Sequence, residues 1–219
     1  MRGLGLGARE IGTLTGARTT PEAPDLQRLL AAAREARDAA VAMEVSSHAL
    51  SQGRVDGTRF RAAGFTNLGV DHLDHHGSIE EYYQAKRRLF SSAFTDLAVI
   101  DTRGPFGAPG RGGRHRGRRD RRRRPRVGHR RAAVEPVHVA WTPGGPSLGG
   151  MFNVANALMA AELVAGLGHD PVAIAAALGD ASAVPGRFEA IDEGQPFTVV
   201  VDCAHTPDGL EAVLAAARR

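Results

Sequence analysis

The chain has 219 residues, 42% of them hydrophobic, a formal net charge of +4 and a single cysteine, Cys203. That apolar content can bury one good core or about one and a half domains, and one cysteine excludes an intramolecular disulfide framework and fits a reducing compartment. There is no apolar run of the roughly 18 residues a membrane span needs, and Met1-Arg2 leads into Gly-rich polar sequence, so neither a span nor a secretory leader is expected and the address is cytoplasmic.

Residues 1 to 18 are rich in Gly and Arg, with a short apolar patch only at Ile11 to Leu14, and read as an irregular segment. Gly3 to Gly7 does not make a phosphate loop, since no strand precedes it and it lacks the lysine; no G-x-x-G-K-[ST] occurs anywhere in the chain. Thr19, Thr20 and Pro21 are expected to open a helix that carries Asp25, Leu26, Leu29 and Leu30 toward Ala40. A threonine cap followed by proline needs no ligand. Val41 to Val45, broken by Glu44, is the first predicted strand, and Ser46, Ser47 and His48 follow at once. The second, Ala62 to Thr66, is followed by Asn67, Asp71, His72, Asp74, His75 and His76. In α/β proteins the loops at the carboxyl ends of parallel strands line the ligand crevice. Two such loops crowded with Glu, Asp, Asn and His therefore point to one composite site suited to a hard cation and phosphates. The spacing of His72, His75 and His76 also allows zinc, although no fitting carboxylate or Cys accompanies it.

Ser78 and Glu81 form an S-x-x-E capping box that starts a helix through Ile79, Tyr82, Tyr83, Lys86 and Leu89. Lys86 is the one lysine, the other 27 of the 28 basic residues being arginine. Either a primary amine is needed here, because Arg neither loses its proton nor forms a carbamate, or this is a solvated helix lysine. The predicted strand Leu97 to Ile100 ends at Asp101, and the character of the chain then changes. From Arg103 to Arg131 there are 13 arginines and a single acid, Asp120. Subtracting that segment's +12 from the chain's +4 leaves −8, so the basicity belongs to one insert. Two accounts compete for it. One is a nucleic-acid-binding arm whose clustered Arg neutralises phosphates. The other is translation out of frame, since GC-rich coding read in the wrong register yields runs of Arg, Gly and Pro. Neither builds a packed core. Beyond it, Asn153 and Asn156 lie on one face of a helix from Phe152 to about Ala165, with Gly168 at its end. Asp170-Pro171 opens another through Leu178. Phe197 to Val201 reads as a continuous apolar strand, ended by Asp202-Cys203-Ala204-His205-Thr206-Pro207-Asp208.

EVSSHAL (44–50), TNLGVDHLDHHG (66–77) with the following AKRRLF (85–90), TTPEAPDL (19–26), FNVANAL (152–158), PGRFE (185–189) and DCAHTPD (202–208) resemble the Mur ligase family. Six ordered blocks cover most of the chain outside roughly residues 101 to 150. TTPEAPDL favours the members that extend UDP-MurNAc-L-Ala-D-Glu by a third residue, meso-diaminopimelate or lysine, over folylpolyglutamate and cyanophycin synthetases. The resemblance implies an α/β fold: the mostly parallel sheet of an ATP-binding central domain, incomplete, plus the start of a Rossmann-like C-terminal domain. On that basis the chain divides into an irregular segment (1–18), the first part of the central domain (19–101), an Arg/Gly/Pro-rich segment (102–150), the end of the central domain (151–183) and the start of the C-terminal domain (184–219).

The resemblance further implies a cytoplasmic ligase of peptidoglycan synthesis, dependent on ATP and Mg²⁺. ATP would phosphorylate the D-Glu carboxylate, and the amine of the added amino acid would attack the acyl phosphate. Matched residue by residue, Thr19, Thr20, Ser46, Gln52 and Arg54 are expected to contact the muramyl substrate. Glu44 and His72 are expected to ligate Mg²⁺ together with Lys86, carbamylated and catalytic. Asn153, Asn156, Arg187 and Asp202 are expected around the nucleotide, with His205 a second catalytic candidate. Three departures stand out: Gly69-Val70 replaces the family's Ser-Arg, Cys203 replaces a Tyr and is read as a small buried thiol, and the phosphate loop is missing. From the last, the chain as it stands is expected to be inactive. No membrane partner is expected, and nucleic acid only through the Arg-rich segment.

Overall fold

The computed structural model describes residues 3–4, 8–11, 18–69, 73–101, 150–181 and 183–218. The Arg-rich run 103–131 and the expected metal ligand His72 lie outside them. The chain forms two compact units, Met1–Phe60 with His72–Thr95, and Arg61–Asp71 with Asp96–Arg219.

In the first unit, β1 (Gly3–Leu4) pairs antiparallel with β2 (Ala8–Ile11), and β2 runs parallel to β3 (Ala40–Met43), with Ala8 opposite Ala40 and Ile11 opposite Met43. Residues 3–4 and 8–11 are thus strands, not the irregular lead-in that their glycine content predicts. The pairing with β3 supplies backbone partners that local propensity alone does not reveal. Helix α1 (Ala23–Glu35) has Glu22 as its N-cap, without a side-chain cap bond, and a proline in its first turn. The expected threonine cap is corrected by geometry: the Thr20 hydroxyl instead donates to the Glu44 carbonyl at 3.0 Å. The helix also ends well before Ala40. Arg37 adopts φ 57°, and the Asp38 N–H closes on the Ala33 carbonyl at 2.9 Å, the 6→1 bond of a Schellman ending. Leu26 and Ala33, seven apart on one face, are buried.

Three residues separate β3 from helix α2 (Ser47–Ser51), where Ser46 Oγ accepts the Ala49 N–H at 3.2 Å. Its Ala49 and Leu50 enter the core with Val55. After α3 (Leu73–His76), Ser78 Oγ accepts the Glu81 N–H at 3.2 Å, the N-cap bond expected of S-x-x-E, and opens α4 (Ile79–Arg87). A 3₁₀ turn, Arg88–Phe90, follows. Arg88 donates to both carboxylate oxygens of Asp56, at 2.8 and 2.9 Å, and to the Leu50 carbonyl. That planar fork ties α4 to the exit of α2.

In the second unit, β4 (Phe60–Phe65) pairs with β5 (Thr95–Ile100), all but the first residue of each belonging to this unit. The Phe60 N–H donates to Phe94 O at one end and the Asp101 N–H to Phe65 O at the other, so the strands run parallel. Helix α5 (Met151–Gly166) lies close against them. A Cβ on Gly64 would come within 3.1 Å of Leu163 Cδ1 and Met159 Sδ, and one on Gly166 would collide with Leu97. Glycine at both positions permits this approach. Asp170 caps α6 (Pro171–Gly179) through the Val172 N–H, after Gly168 leaves α5 at φ 94°.

The C-terminal part holds β6 (Glu189–Ile191), β7 (Val199–Val201) and α7 (Pro207–Ala217). Strands β6 and β7 are antiparallel, Ile191 opposite Val199, so pairing stops where β6 does. Phe197 is consequently outside the strand and 65% exposed, a correction to the predicted strand Phe197 to Val201. Cys203 is exposed rather than buried. Among the described residues no helix is long and apolar enough to cross a membrane.

Candidate functional site

The polar turn between β3 and α2 brings together most of the residues expected to bind the muramyl substrate. The Ser46 N–H donates to Thr20 Oγ1 at 2.9 Å, and the two hydroxyl oxygens lie 3.4 Å apart. Thr20 is buried, which accounts for its hydroxyl being used both as donor and as acceptor. The Arg54 guanidinium, only 9% exposed as a residue, donates to the Thr20 carbonyl at 3.2 Å and to Gln52 Oε1. Its NH2 also lies 3.4 Å from Glu22 Oε1, and the same oxygen pairs with Arg18. A buried guanidinium keeps its charge and needs acceptors on every side. Arg54 Nε is fully buried without one. A cavity of about 330 Å³ is lined by Arg18, Thr19, Thr20, Ser46, His48 and Arg54.

Of the expected set, Thr19, Thr20, Ser46 and Arg54 therefore line one cavity, and Gln52, exposed, reaches it through Arg54. Sequence reasoning missed Arg18 in the lining and Glu22 as the partner of both arginines, and it placed His48 in the site loop without giving it a role. His48 stood in the same EVSSHAL block and Glu22 in TTPEAPDL, so proximity in sequence was the available signal. A larger open groove, about 410 Å³, follows the exposed apolar side of α7 at Leu210 and Leu214, and none of the expected site residues lines it.

The expected metal ligands are described only in part, since His72 lies outside the described residues. Glu44 lies directly after β3 with an exposed side chain, while its carbonyl accepts from Thr20. Lys86 is half-buried on α4, its Nζ 5.1 Å from the centroid of the Tyr82 ring, within cation–π range. Among the described residues no group of three His, Cys, Asp or Glu side chains is placed to hold a metal ion. The histidines behave accordingly. His76, buried, sits with Nε2 2.9 Å from Ser47 Oγ, and His75 Nε2 is 3.1 Å from Ser51 Oγ.

In the second unit, Asn153 is buried in the first turn of α5 whereas Asn156, three residues on, is exposed. Phe152 meets Phe188 edge-on at 5.7 Å, which places the residues beside Asn153 and Arg187 against each other. Both Asp202 oxygens accept backbone N–H bonds at 2.7 Å, Oδ2 from Phe188 and Oδ1 from Ala204. Asp202 thus fastens the PGRFE loop, in which Phe188 holds φ 50°. Exposed His205 has Nδ1 2.9 Å from the Cys203 carbonyl. A carbonyl only accepts, so Nδ1 carries a proton.

Residues 3–108 match the family described as Mur ligase middle domain. The chain is 42% identical, over 92% of its length and 42% of the relative's, to the UDP-N-acetylmuramoyl-L-alanyl-D-glutamate--2,6-diaminopimelate ligase of Streptomyces coelicolor. The ligases of that name from Geobacillus kaustophilus and Gloeobacter violaceus are 41% and 43% identical, over 93% and 91% of this chain and 45% and 43% of theirs. A solved structure of such a ligase superposes with a TM-score of 0.66 and 27% identity, over 97% of this chain and 48% of that one. The chain spans less than half the length of these relatives. With its parallel strands and these relatives in agreement, residues 3–108 belong to the Mur ligase family as a Mur ligase middle domain.

Proposed function

We propose that this chain supplies the muramyl-substrate side of an ATP-dependent ligase that joins meso-diaminopimelate to the D-Glu of UDP-MurNAc-L-Ala-D-Glu in the cytoplasm. The observation that carries the reading is the cavity formed by Thr20, Ser46 and Arg54. It combines two guanidiniums, an imidazole and three hydroxyls, a donor set that suits an anionic substrate oxygen. Relatives named for the diaminopimelate reaction support the choice of third residue. The reaction passes through an acyl phosphate of the D-Glu carboxylate, so holding that substrate in one orientation beside the attacking amine is the main task of these residues.

Glu44, His72 and Lys86 as its carbamate would hold Mg²⁺, and their donors suit it: Glu44, directly after β3, offers an exposed hard oxygen, and a carbamate adds others. When bound, the ion would neutralise charge on the transferring phosphoryl group. Asn153, Asn156 and Arg187 would meet the nucleotide. Asp202 would hold the loop that carries Arg187, and His205 would offer Nε2 to a proton. Because no G-x-x-G-K-[ST] occurs in the 219 residues, the chain alone is expected to release no ADP.

The reading is tested by transplanting residues 18–101 into the Streptomyces coelicolor ligase in place of its matching segment. The chimera is expected to add meso-diaminopimelate within about tenfold of the parent rate, a loss of no more than about 1.4 kcal/mol in transition-state stabilisation. A chimera that folds and binds ATP yet makes no product would contradict the reading. ADP release by the unmodified chain that depends on the muramyl substrate would contradict its inactivity.

A further inference from the structure

The paired histidines of the DHLDHH run are not absorbed by the muramyl cavity, and the described residues do not make them a metal site. What they do form is a ladder of rings inside the first unit. His76 is buried at 8% exposure, with Nε2 2.9 Å from Ser47 Oγ. Its ring stacks on Tyr82 at 5.3 Å between centroids and 25° between planes. One helical turn further along α4, Lys86 Nζ sits 5.1 Å from the centroid of the Tyr82 ring. At the other end, His48, which lines the cavity, lies 5.6 Å from His76 and 4.0 Å from His75. Ser47 adjoins Ser46, whose hydroxyl caps α2.

We propose that His76, anchored on Ser47, sets the position of Lys86 through the Tyr82 ring. A lysine side chain has four rotatable bonds and selects among many rotamers, so its terminus is placed only by what it touches. A ring face attracts an ammonium group within about 6 Å, so the orientation of that face contributes to where the ammonium rests. The Tyr82 plane is set by the stack on His76, and the His76 ring by its bond to buried Ser47. The ladder therefore ties the lysine to the same α2 turn that builds the cavity wall. An anionic terminus would be repelled by the ring face, so the ammonium form rests on Tyr82 and a carbamate would swing off it. His76 and Tyr82 are positioning residues here. Their functional weight rests on the reading of Lys86 as the family's reactive amine, but their geometry does not.

Because Lys86 is the only lysine, the full chain made with ¹³C-labelled lysine gives one ε-methylene resonance. In CO₂-free buffer the wild-type signal is expected upfield of free lysine, shifted by the Tyr82 ring. Tyr82→Phe, which keeps the ring, should retain that shift, and Tyr82→Leu should abolish it. His76→Gln and Ser47→Ala should each move the signal most of the way back to free lysine. A wild-type signal at the free-lysine position, or one unmoved in both His76→Gln and Ser47→Ala, would overturn the proposal. Should His76→Gln lose its fold, Ser47→Ala, which removes a single oxygen, decides alone. The readout needs neither ATP nor turnover, so failure of the chimera and failure of the ladder are separate results.

Discussion

In the chimera carrying residues 18–101, Lys86→Arg is expected to lower ligation by at least about 10²-fold, the scale of losing one group preorganised toward transition-state charge. Arg keeps the charge and nearly the length of lysine, so a solvated helix residue would tolerate the change. It cannot form a carbamate, which the proposed role of Lys86 requires. Lys86→Ala removes the carbamate but leaves space at the end of the ladder, and added short-chain carboxylates should restore part of its activity. Steady-state ligation rates for the three proteins settle the matter. Near-normal turnover by the Arg variant would return Lys86 to an ordinary position on α4.

A comparably large effect, on stability rather than turnover, is expected at Leu50. It is 1% exposed, on the five-residue α2 that follows the Ser46 cap. Truncation to Ala removes buried methyl groups and leaves a cavity, which costs about 2–5 kcal/mol. So short a helix has little stability of its own and depends on this packing, so the same change should loosen Ser46 and His48 and with them the cavity wall. Urea unfolding of Leu50→Ala beside Val172→Ala provides the comparison. Val172 is 74% exposed, and its truncation should change stability by no more than about 0.5 kcal/mol. Similar losses for the two would mean that α2 is not packed as described.

Much of this was legible in the sequence, and where it failed the reason is physical. The Ser78 cap and the α5–α6 boundary at Gly168 and Asp170 are local signals, written within four residues, and the structure has them where they were expected. Thr20 misled because its hydroxyl bonds to the backbone 24 residues away, a contact that no cap pattern encodes. The strands at residues 3–4 and 8–11 were hidden for the same reason, since β2 exists by pairing with β3. In the site, residue identities came from the family blocks. The sequence did not show that Arg54 is buried with an unsatisfied Nε, that Glu22 touches both arginines, or that His76 stacks on Tyr82. The Arg-rich run 103–131, read either as a nucleic-acid arm or as out-of-frame sequence, lies outside the described residues.

The central claim, that Thr20, Ser46 and Arg54 form a muramyl-substrate site, is tested most directly by titrating UDP-MurNAc-L-Ala-D-Glu into the 219-residue chain in a calorimeter. Wild type is expected to bind saturably with one site, and Arg54→Leu to weaken binding by about tenfold or more, as loss of a hydrogen bond to a charged group (about 1.5–3 kcal/mol) requires. Wild-type heats indistinguishable from dilution, or equal affinity in a folded Arg54→Leu variant, would contradict the claim.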